Sequence, residues 1–219
     1  MKSERIAGWR LYVITDSDIS GKSHQDAAKA AMAGGADVIQ FREKNCSSAE
    51  LYEIAGELRE ITRKADVDFI VNDRLDIAQA VDADGVHLGQ DDIPISVARE
   101  ILGPDKIIGG SARYQGEAEQ MAQEGVDYLG LGPVYEARST KHDTVAPQGL
   151  DLVRKVKQET TLPIVAIGGI GPENLSFIFE AGADSVAVIS AIMKADDITK
   201  ATRDIKETIE NLQPEGNLV

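Results

Sequence analysis

The segment Gln40-Phe41-Arg42-Glu43-Lys44 ends a short β-branched run with an amide, a guanidinium and an ammonium at alternate positions. Side chains alternate across a strand, so Gln40, Arg42 and Lys44 are predicted on one face and Phe41 and Glu43 on the other. A forked guanidinium beside an ammonium suits a phosphate or diphosphate, against the plainer reading of a solvated charged loop. Two later runs end in carboxylates, at Asn72-Asp73-Arg74 and at Gln90-Asp91-Asp92. Asp73 facing Asp91 or Asp92 would either form ordinary salt bridges or hold Mg²⁺, which takes one or two carboxylates and completes its shell with water and substrate phosphate. Three scattered histidines and one cysteine show no zinc-ligand spacing. His87 lies inside a run and reads as a hydrogen-bonded core histidine. Ser111 lacks a nucleophile-elbow context, and no nucleophilic triad is indicated.

The glycine clusters carry the remaining chemistry. Gly109-Gly110-Ser111-Ala112-Arg113 offers a hydroxyl and a guanidinium, while Gly168-Gly169-Ile170-Gly171-Pro172 and Ile189-Ser190 offer close backbone approach and helix N-termini to an anion. The pattern suggests a monophosphate cradle after the last two runs and a separate cation-plus-Mg²⁺ cluster after the second to fourth. Two phosphorylated substrates fit that division better than one.

These clusters need elements to bring them together. They follow eight β-branched runs: Leu11–Thr15, Val38–Phe41, Phe69–Val71, Gly85–Leu88, Lys106–Gly110, Tyr128–Leu131, Pro163–Ile167 and Ser185–Ile189. Amphipathic patterns predict helices over about 24–34, 48–65, 74–82, 94–102, 115–124, 147–159, 172–181 and 196–211. Ser47-Ser48-Ala49-Glu50 reads as a capping box, and Pro172 suits a first helical position. Eightfold strand–helix alternation predicts an α/β chain forming a single (βα)₈ TIM barrel over residues 1–219, whose strand C-termini share one mouth. Residues 1–8 read as a loose leader or a short cap on the barrel bottom, and the tail from 213 to 219 as loose. Asp82 and Asp84 precede the fourth run at the bottom, where acidity reads as solubility. The long connection 132–146 is a candidate lid. The turns Ala-Gly-Gly-Ala-Asp at 33–37 and Ala-Gly-Ala-Asp at 181–184 lead similarly into the second and eighth runs and hint at a repeated βα unit.

The chain has 219 residues, 42% of them hydrophobic and 5% aromatic, which suits a core of Val, Ile, Leu and Ala. A formal charge of −14 argues against nucleic acid or an anionic membrane as partner. It does not exclude anionic substrates, because charges beyond roughly 8 Å are screened at physiological salt. The lone Cys46 forbids an internal disulfide and reads as an inert loop thiol. No apolar stretch suggests a signal peptide or a membrane span, so a cytoplasmic protein is expected. Self-association is left open.

Taken together, Gln40-Phe41-Arg42-Glu43-Lys44, Val71-Asn72-Asp73, Asp84-Gly85-Val86-His87-Leu88-Gly89-Gln90-Asp91-Asp92, Leu129-Gly130-Leu131-Gly132-Pro133-Val134-Tyr135 and Ile167-Gly168-Gly169-Ile170 resemble the thiamine phosphate synthase family over essentially the whole chain. The resemblance implies a Mg²⁺-assisted transferase joining a hydroxymethylpyrimidine diphosphate to a thiazole phosphate, with release of pyrophosphate. It puts the pyrimidine diphosphate on the 40–44 segment (Gln40, Phe41, Arg42, Glu43, Lys44) with Asn72, Ser111 and Lys141. One Mg²⁺ per subunit would lie on Asp73 and Asp92. The thiazole phosphate would lie on Gly169, Ile189 and Ser190, with Arg138, Ser139 and Thr140 from the long loop. Arg42, Lys44, Ser111 and Lys141 become the catalytic set. The chain departs from the family where Arg138 stands for a usual Thr and Arg113 for a frequent His. The resemblance also implies a dissociative reaction, in which the diphosphate leaves before a proton-free thiazole nitrogen attacks. A related thiazole tautomerase and a non-catalytic phosphate sensor are the alternatives; the carboxylate pair and the intact cationic set argue against both.

Overall fold

A short β-branched strand buried on both faces is stable only between neighbours, and here eight of them pair in sequence order into a closed parallel barrel, with β8 returning to β1. The computed structural model describes residues 2–136 and 146–212. The strands are β1 Leu11–Thr15, β2 Val38–Phe41, β3 Asp68–Asn72, β4 Gly85–Leu88, β5 Ile107–Ala112, β6 Tyr128–Leu131, β7 Ile164–Ile167 and β8 Ser185–Val188. The helices are α1 Lys2–Ala7, α2 Ser17–Ser20, α3 His24–Ala33, α4 Ser48–Ala65, α5 Leu75–Ala80, α6 Ile95–Leu102, α7 Gln115–Glu124, α8 Gly149–Glu159, α9 Leu175–Glu180, α10 Ser190–Met193 and α11 Ile198–Leu212. The expected (βα)₈ architecture is therefore present.

Most boundaries agree with the sequence pattern, and the exceptions have physical reasons. Helices α2 and α10 have four residues each, too few for any periodicity to show. The stretch predicted as one helix over 172–181 begins as a 3₁₀ turn, Pro172–Asn174, before α9. Residues 2–7 are not a loose leader. They form α1, which with Trp9 closes the barrel bottom: Ile6 and Trp9 are buried in the interior cluster, and Trp9 Nε1 donates to Asp68 at 2.7 Å.

Strand alternation splits the core in two. Ile39, Phe41, Leu129 and Leu131 face outward into the shell between barrel and helices, whereas Tyr12, Val38, Ile70, Tyr128 and Val165 fill the interior. At the bottom, four aspartates clasp the barrel. Asp37, Asp84, Asp127 and Asp184, each leading into an even strand, accept the amides of Leu11, Phe69, Ile108 and Ile164 near the start of the preceding odd strand. Each also meets a cation from the helix packed before that odd strand: Lys206, Arg59, Arg99 and Lys157 respectively. This corrects the reading of Asp84 as a solubility group, since its carboxylate is tied down. Asp82 remains mostly exposed, paired with Lys106 at 2.6 Å.

Candidate active site at the carboxyl ends of the strands

The inward parity of β2 extends past its end. Gln40, Arg42 and Lys44 all line a cavity of about 230 Å³ at the mouth, together with Asn72, Asp73, His87 and Ser111. The opposite wall is apolar, built from Ile14, Val165, Ile167, Ala187 and Ile189. One half of the cavity is thus charged and hydrogen-bonding, and the other suits a flat ring.

Phe41 and Glu43 lie on the other side of the same segment. Phe41 is buried in the outer shell with the His24 ring edge-on to it, centroids 4.7 Å apart. Glu43 accepts from Ser17 Oγ at 2.8 Å and from the Asn45 amide at 2.7 Å, and lies 3.3 Å from His24 Nε2. These two residues anchor the strand exit from behind and do not line the cavity. Strand alternation puts both side chains behind the cavity, so that the part of this segment which faces it is Gln40, Arg42 and Lys44.

Arg42 is aimed by a residue that sequence reasoning missed. Its Nη1 donates to Asp16 Oδ2 at 2.6 Å, while the other oxygen of Asp16 caps α2 through the Ile19 amide. The signal was the polar cluster after β1, which follows the same strand-end rule as the others.

Asp73 sits at the end of β3 in the left-handed region, φ 60°, and its amide donates to the His87 carbonyl at 2.9 Å. Asp92, not Asp91, lies beside it. Asp91 is exposed, and Asp92 is held by the Gly89 amide at 2.7 Å. Burial pushes the Asp73 carboxyl up; the negative charge of Asp92 and a hydrogen bond between the two acids add to that. Lys44 and Arg42 pull the other way without cancelling it, and Asp73 ends at about 6. Two carboxylates held so close call for a cation. Two hard oxygen donors, Asp73 lining the cavity that would hold a phosphate and Asp92 hydrogen-bonded to it, fit Mg²⁺.

Ser111 Oγ lies 2.8 Å from His87 Nε2, and the Gln90 amide nitrogen donates to the Ser111 carbonyl at 2.8 Å. His87 is hydrogen-bonded as predicted, yet it lines the cavity, and burial pushes it down to about 4, so the ring is neutral. Arg113 turns away to Glu117, bonding it through its amide at 2.6 Å and its guanidinium at 3.1 Å. Cys46 is a half-buried free thiol pushed up by burial and by Glu43, Glu50 and Asp18, which disfavours its thiolate.

On the far rim, Gly168 and Gly169 have φ of 101° and 63°, and their missing side chains admit the loop leaving β6. A Cβ on Gly169 would stand 2.7 Å from Tyr135 Cβ. Ile189 lines the cavity and Ser190 opens α10, so the Ser190 amide has no carbonyl one turn behind it. Arg138, Ser139, Thr140 and Lys141 lie outside the described residues.

A parallel barrel whose mouth joins two strand-end cations to a carboxylate pair, opposite an apolar wall, belongs to the class of (βα)₈ enzymes that act on phosphate esters. Comparison with known proteins narrows the class. The family model described as thiamine monophosphate synthase matches residues 11–192. Thiamine-phosphate synthase of Chloroflexus aurantiacus is 50% identical over 210 residues, covering 95% of this chain and 96% of the relative. The namesake from Natronomonas pharaonis is 48% identical over 206 residues, covering 93% and 96%. Among solved structures, thiamine phosphate pyrophosphorylase from Pyrococcus furiosus superposes with a TM-score of 0.87 at 42% identity, covering 96% of this chain and 99% of that one. The chain belongs to the thiamine monophosphate synthase family and is a transferase of thiamine biosynthesis.

Proposed function

We propose that the protein condenses hydroxymethylpyrimidine diphosphate with thiazole phosphate, yielding thiamine phosphate and pyrophosphate, in the cytoplasm. The observation that carries this reading is one cavity lined by Arg42, Lys44 and Asp73, with Asp92 hydrogen-bonded to Asp73 and an apolar wall opposite. Arg42 and Lys44 bind the diphosphate and stabilise the negative charge that grows on it as the C–O bond to the pyrimidine methylene breaks. Asp16 supports this role by fixing the direction of the guanidinium. Gln40, Asn72 and Ser111 hold the pyrimidine diphosphate in line, and the apolar residues of β7 and β8 keep water from the cation left behind. Asp73 and Asp92 would hold one Mg²⁺, which when bound supplies charge neutralisation to the leaving group. The backbone at Gly169, Ile189 and Ser190, with Arg138, Ser139 and Thr140, takes the thiazole phosphate, and Lys141 joins the leaving-group set.

The attacking thiazole nitrogen carries no proton, so no general base is needed. Among the described residues lining the cavity the imidazole is that of His87, neutral with both nitrogens engaged, which supports this reading. Incubating the protein with both substrates, with and without Mg²⁺, and measuring pyrophosphate and thiamine phosphate tests the proposal. Formation of both products, dependent on both substrates and the metal, is expected, with Lys141→Ala slowing single turnover about 10²-fold. Isomerisation of the thiazole alone, or binding without product, would replace this reading with a tautomerase or a sensor.

A further inference from the structure

Two glycines inside the barrel wall mark a device that the family assignment does not explain. Glycine in a strand interior weakens the strand and commonly marks a close approach of another group. A Cβ on Gly109 of β5 would lie 2.1 Å from Cζ of Tyr128, and a Cβ on Gly130 of β6 would lie 2.7 Å from Cε1 of His87. Side chains are omitted at both positions so that a phenol and an imidazole can lie across the floor of the cavity, ring centroids 5.5 Å apart.

These rings belong to one hydrogen-bonded chain. Gln40 Nε2 donates to Tyr12 Oη at 2.8 Å; Tyr12 Oη and Tyr128 Oη are 2.9 Å apart; Tyr128 Oη is 2.9 Å from His87 Nδ1; and His87 Nε2 is 2.8 Å from Ser111 Oγ. Both ends line the cavity, three strands apart around the barrel. An amide nitrogen has hydrogens to give and no lone pair to offer, so Tyr12 receives from Gln40; its own single hydrogen then finds Tyr128 Oη as its one acceptor among the described residues, and that sets the sense of the remaining links. Tyr12 receives from Gln40 and gives to Tyr128, and Tyr128 gives to His87 Nδ1. A neutral imidazole that accepts at Nδ1 carries its hydrogen on Nε2, and that hydrogen goes to Ser111 Oγ. The hydroxyl hydrogen of Ser111 is then left for a ligand, while Gln40 keeps its Oε1 as an acceptor.

We infer that Tyr12, Tyr128 and His87 are positioning residues: their chain locks His87 as the Nε2–H tautomer and gives the cavity a fixed polarity, acceptor at Gln40 and donor at Ser111. The ligand selected is one that presents a donor toward β2 and an acceptor toward β5. The kinetic half of the inference rests on this cavity being the pyrimidine diphosphate site; the tautomer half does not.

Tautomer and function are therefore tested separately. In ¹⁵N-histidine-labelled protein without substrates, the His87 signals are assigned by their loss in His87→Gln. They should show a protonated Nε2 and a hydrogen-bonded, unprotonated Nδ1. Tyr128→Phe should remove the Nδ1 hydrogen bond and release the lock, so that the two neutral tautomers exchange and Nε2 is no longer fully protonated. A protonated Nδ1 in the wild type would reverse the chain and overturn the inference, whatever the enzyme does. In steady-state kinetics, Tyr128→Phe should lower kcat/KM for the pyrimidine diphosphate about tenfold, the scale of one misdirected hydrogen bond. In a Ser111→Ala background the same change should cost nothing further. Full additivity of the two losses would mean that Tyr128 acts by packing alone. Should Tyr128→Phe fail to fold, Tyr12→Phe breaks the chain one link earlier and is read by the same two measurements.

Discussion

Glu43 stands in sequence between the two cations of the mouth but faces away from them, and its removal separates support from substrate contact. Burial pushes its carboxyl up, yet hydrogen bonds from the Asn45 amide, the Ser17 hydroxyl, the His24 ring and the Lys44 amide outweigh that and hold it at about 2, against an ordinary 4.5. A carboxyl that is more acidic in the folded chain stabilises the fold fully above its unfolded value and loses that contribution as pH falls through its folded one. The window here runs from pH 4.5 down to about 2. Converted in full, the difference is worth about 3 kcal/mol. Because Glu43 keeps partial contact with water, we expect Glu43→Gln to cost about 2 kcal/mol at pH 7. Urea unfolding of both proteins between pH 7 and pH 3 measures this. The gap should hold to about pH 5 and shrink to roughly half by pH 3. A gap independent of pH would refute the electrostatic account. A variant as stable as the wild type but with a raised KM for the pyrimidine diphosphate would return Glu43 to the substrate side of the strand.

Two further outcomes follow from the same geometry. Since burial and Asp92 hold Asp73 near 6, Mg²⁺ affinity measured by titration calorimetry should fall about tenfold from pH 7 to pH 5 as protons compete for the site. Asp73→Asn should bind weakly with no such slope, and a flat wild-type profile would contradict the metal assignment. At the bottom, Asp127 joins the Ile108 amide, Arg99 and Lys2, so Asp127→Asn should cost about 2 kcal/mol in denaturant unfolding. Its kcat and KM should be unchanged, because the mouth lies at the other end of the strands.

Much of this site could be read in the sequence because a strand has period two. Once Val38–Phe41 is a strand, Gln40, Arg42 and Lys44 must share a face, and closure of the barrel brings them beside Asp73. What could not be read depends on distance in sequence or on brevity. Tyr12 and Tyr128 look like ordinary core aromatics, and only closure sets hydroxyls 116 residues apart at 2.9 Å. Asp16 caps α2, a helix too short to be read from the sequence, and its second oxygen finds Arg42 only in three dimensions. Gly109 and Gly130 lie inside strand runs, and their reason appears only when the rings that fill their space are seen. The bottom aspartates add nothing to hydrophobic periodicity, so they pass for surface charge.

That last point bears on how a chain with a formal charge of −14 can attract two anionic substrates. The four clasp aspartates are each matched by a Lys or Arg at the barrel bottom. Their charge is spent locally, one barrel length from the mouth and beyond the roughly 8 Å over which an exposed charge acts at physiological salt. Among the described residues, the mouth sets Arg42 and Lys44 against Asp16, Asp73 and Asp92. Burial first, and then the charge of Asp92, raises the Asp73 carboxyl against the pull of Lys44 and Arg42. A divalent cation reverses the local sign, and the same acids that would repel a diphosphate then become the means of holding one. The net charge of the chain therefore says little about its substrates, whereas the pairing of each carboxylate says a great deal.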